Sequence, residues 1–294
     1  MNELTDIRAI RTLLERHGFH FSRSLGQNFL ICDWVPERIT EIAGIDESCG
    51  VLEIGSGIGC LTARLSERAG KVVAVELDRS LAPVLEETLE GRENVEILFG
   101  DILRQDLRQL AVEKFPGLRP YVCANLPYNI TSPVLTALIR AGCFESLTVM
   151  VQKEVAERIC AAAGTEEYGA FSLFVQWHSM PEFLFEVPPD CFLPQPKVTS
   201  AVIRLQKREE PPCPVQDEDF LFRVIRAAFG QRRKTLVNAL TAGLGSFSKE
   251  EIRECLLACG FDERIRGEML KIGEFCSISD KLIDKEHLFK PLSR

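Results

Sequence analysis

Between residues 50 and 206, short β-branched runs alternate with stretches of helical periodicity, and this alternation leaves few folds open. The runs are GVLEIG (50–55), KVVAVEL (71–77), VEILFG (95–100), YVCANL (121–126), LTVMVQ (147–152), FLFEV (183–187) and VTSAVIRLQ (198–206). They predict a seven-stranded α/β sheet, mostly parallel, with helices on its faces. A parallel crossover needs roughly a dozen residues or more. Residues 188–197 leave no room for a crossover helix, so one of the last two strands is expected to be antiparallel.

After Gln206 the texture changes. KREEPPCPVQDED (207–219) is polar, proline-rich and aperiodic, and the chain beyond it reads as helix in three segments, 218–240, 248–260 and 266–283. The expected division is a catalytic domain over 1–208, with an N-terminal helical extension, and a small all-α C-terminal domain over 209–294. The amino terminus carries apolar residues at helical spacing between charges. It lacks a signal-peptide apolar block, and no apolar run approaches the ~20 residues of a membrane helix. A cytoplasmic protein without a membrane partner is expected.

Eleven cysteines are scattered singly with no C-x-x-C pair, which points to reduced, mostly buried thiols and to no metal site. Cys255 and Cys259, four apart on one helix face, lack the second pair that zinc requires. The net charge of −8 excludes a surface that grips nucleic acid everywhere. Two local basic patches remain: 197–208 with four cations and no acid, and 223–234 with five cations and no acid. In the second, Arg223, Arg226 and Arg233 share a helical stripe opposite Phe222, Ile225 and Phe229, and Arg232 and Lys234 extend it.

The first strand ends in Gly55-Ser56-Gly57-Ile58-Gly59, a turn that lets backbone approach a ligand closely. Its third glycine comes one residue too early for the dinucleotide fingerprint G-x-G-x-x-G. The second strand closes with Glu76, a carboxylate suited to two ribose hydroxyls, and the third with Gly100-Asp101, suited to an exocyclic amine. Ligands of open α/β sheets bind at such carboxyl ends. A nucleoside ligand without phosphate, S-adenosylmethionine, fits this pattern better than NAD.

The fourth strand ends in Asn125-Leu126-Pro127-Tyr128. An aromatic amine is a poor nucleophile because its lone pair is delocalised into the ring. Two acceptors aimed at its two N–H groups free that pair, and Asn125 Oδ1 with the Leu126 carbonyl would be those acceptors. Pro127 fixes the turn. Tyr128 offers a ring on which an extruded or single-stranded base can stack.

At these residues the chain resembles the ribosomal RNA adenine N6,N6-dimethyltransferases, most closely the bacterial small-subunit branch. The resemblance rests on SLGQNFLICD (24–33), VLEIGSGIGCLT (51–62), VAVELD (73–78), GDIL (100–103), NLPYNITSPV (125–134), VQKEVAERI (151–159), FLPQPKVTSAV (192–202) and AFGQRRKTLVNAL (228–240). It implies a Rossmann-like class I methyltransferase sheet. Asn28 and the backbone of Leu30 would cap S-adenosylmethionine, Gly55 and Gly57 line it, Glu76 hold its ribose and Asp101 its adenine, with Asn125 between cofactor and target. Phe192 would stack on the second face of the target adenine. Ser56 departs from the more usual proline.

The implied reaction is dimethylation of two adjacent adenosines in the loop near the 3′ end of small-subunit (16S) rRNA. It would act on a pre-30S particle, as a monomer, with Arg223, Arg226, Arg232, Arg233 and Lys234 docking RNA. Three alternatives stay open: the large-subunit dimethylase of the antibiotic-resistance type, a protein-glutamine methyltransferase, and a non-catalytic assembly-checkpoint binder. Leu126, where the glutamine enzymes usually carry proline, speaks against the second.

Overall fold

The computed structural model describes residue 4, residues 6–21 and residues 26–289. Ser24 and Leu25, at the start of the SLGQNFL segment, lie outside the described residues. The chain divides into two compact units, one of residues 1–156 with 180–207, the other of residues 157–179 with 208–294.

Among the described residues nine strands run in chain order, all in the first unit but for Ser179: β1 Phe29–Leu30, β2 Cys49–Ile54, β3 Lys71–Glu76, β4 Val95–Phe99, β5 Arg119–Asn125, β6 Ser146–Gln152, β7 Ser179–Val187, β8 Phe192–Leu193 and β9 Ser200–Lys207. Its helices are α1 Ile7–Arg16, α2 Trp34–Ile42, α3 Cys60–Ser66, α4 Ala82–Thr88, α5 Leu107–Lys114 and α6 Thr131–Ala141. Seven strands form one sheet in the order β4-β3-β2-β5-β6-β9-β7. The pairs from β4 to β6 are parallel, and β9 runs antiparallel to β6, Ser146 opposite Gln206 and Gln152 opposite Ser200. The short 188–197 connection thus has the consequence its length dictates.

Every residue of β2 is buried, as a strand covered on both faces requires. At the sheet edge β7 extends four residues beyond the run read from sequence. It takes in Pro181, which an edge strand tolerates because no neighbour needs its missing N–H. Asp6 caps α1 by accepting from the backbone N–H groups of Arg8 and Ala9, and Ile10, Leu13 and Leu14 form its buried stripe. One element has no sequence signature: β1 pairs antiparallel with β8, Phe29 opposite Leu193 and Leu30 opposite Phe192. Two residues are too few to show a period.

The helices α7 Lys153–Cys160, α8 Ala170–His178, α9 Glu218–Gly230, α10 Leu236–Leu244, α11 Lys249–Ala258 and α12 Ile272–Phe289 complete the chain. Residues 157–179 belong with the C-terminal helices because Tyr168, Leu173 and Trp177 pack in one apolar cluster with Phe220, Leu221, Leu240 and Phe275. The single helical run expected over 218–240 is broken. Residues 231–234 are all exposed, so no apolar stripe carries the helix through them, and the chain turns before Leu236. Arg233 therefore lies in a turn and not on a stripe with Arg223 and Arg226.

The α9–α10 crossing is tight. A Cβ placed on Gly243 would stand 2.5 Å from Ala227 Cβ and 2.8 Å from its Cα. Gly243→Ala gains about 1 kcal/mol of helix propensity and meets overpacking worth about 1–3 kcal/mol. The expected result is net destabilisation, read as a lower guanidinium midpoint at an unchanged m-value. A higher midpoint would mean that the two helices separate freely.

Candidate active site

The three glycines after β2 take positive φ, 76° at Gly55, 56° at Gly57 and 88° at Gly59. A side chain at Gly57 would meet the Phe29 ring at 3.0 Å, and one at Gly55 would point at the Asn125 carbonyl and the Pro127 ring, both 3.9 Å away. The glycine turn and the turn after β5 therefore face each other across a narrow gap. Between them opens a cavity of about 230 Å³, lined by the ends of β2, β3 and β5, Gly100 to Ile102 after β4, and residues 26–30.

Glu76, 6% exposed, is held by backbone: its Oε2 accepts from Gly57 N at 3.0 Å and its Oε1 from Asp78 N at 2.9 Å. Burial raises its pKa, and these two N–H groups oppose the rise. The Ser56 hydroxyl also donates to Oε2, at 3.4 Å, so Oε1 is the oxygen that keeps a lone pair for a ligand hydroxyl. Asp101 accepts from Leu103 N through Oδ1 and faces Arg104 through Oδ2 at 3.5 Å. Glu53, the penultimate residue of β2, also lines the cavity. It is 1% exposed, and its Oε2 has no hydrogen-bond partner among the described residues. Burial, and then the nearby Glu76 charge, push its pKa up to about 8. An acid interrupting the apolar run VLEI is the one sequence signal for this residue, and the strand-end pattern does not include it.

The β5 turn is fixed from both sides. Asn125 Nδ2 donates to the Asn28 carbonyl at 3.2 Å. Since a carbonyl only accepts, this orients the amide and leaves Oδ1 as the acceptor. The Leu126 N–H is taken by the Met150 carbonyl at 3.0 Å, continuing the β5–β6 ladder past Asn125. The Thr131 hydroxyl donates to the Pro127 carbonyl at 3.1 Å. The Tyr128 hydroxyl lies 2.5 Å from Ser200 Oγ on β9, and burial raises its pKa. Ser200 carried no sequence signal. Above the turn, residues 26–30 are tied at three points: Gln27 Nε2 to Asp78 Oδ2 at 2.7 Å, the Asn28 carbonyl to Asn125, and β1 to β8.

Asn28, Leu30, Gly55, Gly57, Glu76, Asp101, Asn125, Leu126, Pro127 and Tyr128 thus all line one cavity. Phe192 does not. It is 2% exposed and packs with Leu30, Val35, Ile39, Cys191 and Val202, so its ring offers no face to a base in this structure. The cause is the β1–β8 pairing, which turns Phe192 towards the core opposite Leu30.

In the helical unit Arg223, Arg226, Arg233 and Lys234 are exposed. Arg223 lies over the Phe220 ring, 4.8 Å from its centroid, and with Arg226 borders a groove that includes Ala239, Gly243 and Ser246. Arg232 is tethered instead: its guanidinium donates to the Glu166 carbonyl and pairs with Glu268 at 3.4 Å.

A mostly parallel seven-stranded sheet with one antiparallel strand, a glycine turn after β2 and a ribose-type carboxylate after β3 defines a Rossmann-like methyltransferase. The chain belongs to the ribosomal RNA adenine dimethylase family, whose sequence profile matches residues 18–284. It is 45% identical over 287 residues to the ribosomal RNA small subunit methyltransferase A of Alkaliphilus metalliredigens, a match covering 97% of this chain and 100% of the relative. A dimethyladenosine transferase from Plasmodium falciparum superposes with a TM-score of 0.74 at 26% identity, over 88% of this chain and 98% of its own. The 23S rRNA methyltransferase ErmE does so with a TM-score of 0.67 at 26% identity, over 87% of this chain and 100% of its own. Family membership makes this chain an rRNA-modifying methyltransferase.

The Glu53 environment has a pH consequence. Its folded pKa, about 8, lies above the ordinary 4.5, so between these values the folded state holds a proton that the unfolded state has lost. Stability contributed by this group is therefore highest below 4.5 and falls as pH rises towards 8. Glu53→Gln should remove that fall: the thermal midpoint of the variant relative to the parent rises steadily across the interval. A pH-independent difference would show that Glu53 is ionised throughout.

Proposed function

We propose that this enzyme transfers methyl groups from S-adenosylmethionine to the N6 amines of two adjacent adenosines in the 3′-terminal hairpin loop of small-subunit rRNA, twice on each, during ribosome biogenesis. The observation that carries the reading is the approach of the Asn125–Tyr128 turn to the glycine turn across a cavity whose other walls are Glu76 and Asp101.

The donor set fits the cofactor. Glu76 can accept one ribose hydroxyl at Oε1 and a second at Oε2 in place of the long Ser56 contact, Asp101 can accept the adenine amine, and the Asn28–Leu30 segment covers the cavity. When bound, S-adenosylmethionine supplies an electrophilic sulfonium methyl group. In the first transfer Asn125 Oδ1 and the Leu126 carbonyl accept the two N–H groups of the target amine, bend the nitrogen out of the ring plane and direct its lone pair; in the second, one of the two accepts the N–H that remains. Tyr128, neutral and anchored by Ser200, supports the base. No residue need act as a strong base, because the methylated ammonium sheds its proton readily. Rate enhancement comes from orientation, an effect that can reach ~7–11 kcal/mol.

Arg223, Arg226, Arg233 and Lys234 present the cationic face for the rRNA of a pre-30S particle. Arg232 contributes chiefly by fixing the turn that carries Arg233. The enzyme acts as a monomer in the cytoplasm. A second reading, methylation of large-subunit RNA, draws on the likeness to ErmE. The higher identity to a relative named for the small subunit favours the first.

Labelled methyl transfer to small subunits lacking the modification, followed by nucleoside analysis, should yield N6,N6-dimethyladenosine; activity confined to large-subunit RNA would overturn the proposal. Asn125→Ala should bind S-adenosylmethionine within a few-fold of the parent and lower transfer by roughly 10²–10³-fold, the usual cost of removing one polar group matched to the transition state. In filter binding, Arg233→Ala should reduce the slope of log affinity against log salt by about 0.7–0.9, one phosphate contact. Arg232→Ala should instead lower the thermal midpoint.

A further inference from the structure

Among the eleven free cysteines, two from distant parts of the sequence are brought together in the helical unit. Cys213, half-buried in the connector, places its Sγ 2.8 Å from Sγ of Cys276, which is 3% exposed on α12. That separation lies between a disulfide bond, ~2.05 Å, and the ordinary contact of two unbonded thiols.

The approach is built by more than the two sulfurs. Cys276, Asp280 and Asp284 form one stripe of α12 at i, i+4 and i+8. The connector lies along that stripe: Gln216 N donates to Asp280 Oδ1 at 2.9 Å and Gln216 Nε2 to Asp284 Oδ1 at 3.1 Å. Pro212 and Pro214 flank Cys213, and the second of these prolines confines it to extended backbone. Cys213 is thus presented to Cys276 on a stiff segment fastened on its far side. By contrast, Cys255 lies on α11 and Cys259 just past its end, and both donate to α12 carbonyls.

We propose that Cys213 and Cys276 form an oxidation site that closes to a disulfide by exchange with a small-molecule disulfide such as oxidised glutathione. The Cys213 thiolate attacks one sulfur of the oxidant, forming a mixed disulfide and releasing one glutathione thiolate. The Cys276 thiolate then attacks the Cys213 sulfur and releases the second. The two protein thiol protons end on the two glutathione molecules, so the protein is oxidised by two electrons and the oxidant reduced by two. Burial, with the neighbouring Cys213 thiol and the Asp280 carboxylate, pushes the Cys276 thiol up, so the second step accelerates as pH rises. The product joins the connector covalently to α12, and reduction restores the open form.

The test incubates the full chain with oxidised glutathione, alkylates it under denaturing conditions and determines intact mass and peptide map. Nine alkylated cysteines are expected instead of eleven, with the Cys213 and Cys276 peptides linked and no glutathione retained. Cys276→Ser should trap glutathione on Cys213 as a stable adduct, and Cys213→Ser should leave every remaining thiol alkylated. Eleven alkylated thiols in the treated parent, a persistent adduct on Cys213 in the parent, or a link involving any other cysteine would each overturn the proposal.

Discussion

β2 lies between β3 and β5 in parallel register, Leu52 opposite Val73 on one side and Val122 on the other. That register aligns the exits of three strands, so the Gly55 turn, Glu76 and Asn125 emerge side by side at one sheet edge. Open α/β sheets bind ligands at such an edge because the chain leaves each strand there and opens a crevice. Side-chain placement follows from backbone: two N–H groups hold Glu76, and the peptide carbonyl of Asn28 orients Asn125. Acids and amides in this position need no precise rotamer of their own, since the main chain sets it.

Two buried carboxyls in one cavity meet different ends. Glu76 is partly compensated by donors from its own loop and from the glycine turn, whereas Glu53 has an oxygen with no partner among the described residues and takes up a proton. The difference traces to position on the strand. Glu76 is the last residue of β3, next to free N–H groups of the turns, while Glu53 precedes the end of β2, where the ladder already uses the backbone. The cavity therefore combines a carboxyl whose burial is opposed by backbone hydrogen bonds with one held neutral by burial.

Most of the sheet was legible in the sequence because buried parallel strands announce themselves as β-branched runs, and their ends as Gly, Glu, Asp and Asn. Ten of the residues read as cofactor or catalytic positions meet in one cavity for the same reason, since strand ends are both a sequence signal and a place. What escaped was set by tertiary packing. The β1–β8 pair is two residues long, and it decides that Phe192 faces the core. The break at residues 231–234 depends on solvent exposure, which a helical wheel drawn through Arg233 does not see. Arg232 looked like its neighbours as a charge, and only the fold supplies Glu166 and Glu268 to hold it.

The bond between Asn125 Nδ2 and the Asn28 carbonyl makes this strand end a reader of side-chain polarity as well as shape. An aspartate has the outline of asparagine but would set one carboxylate oxygen against the Asn28 carbonyl, two lone-pair bearers with no hydrogen between them. The repulsion would lift residues 26–30 off the turn or twist the carboxylate away, so either the cover or the acceptor is lost. Only a group that donates at one end and accepts at the other can close the cavity and address the amine at once.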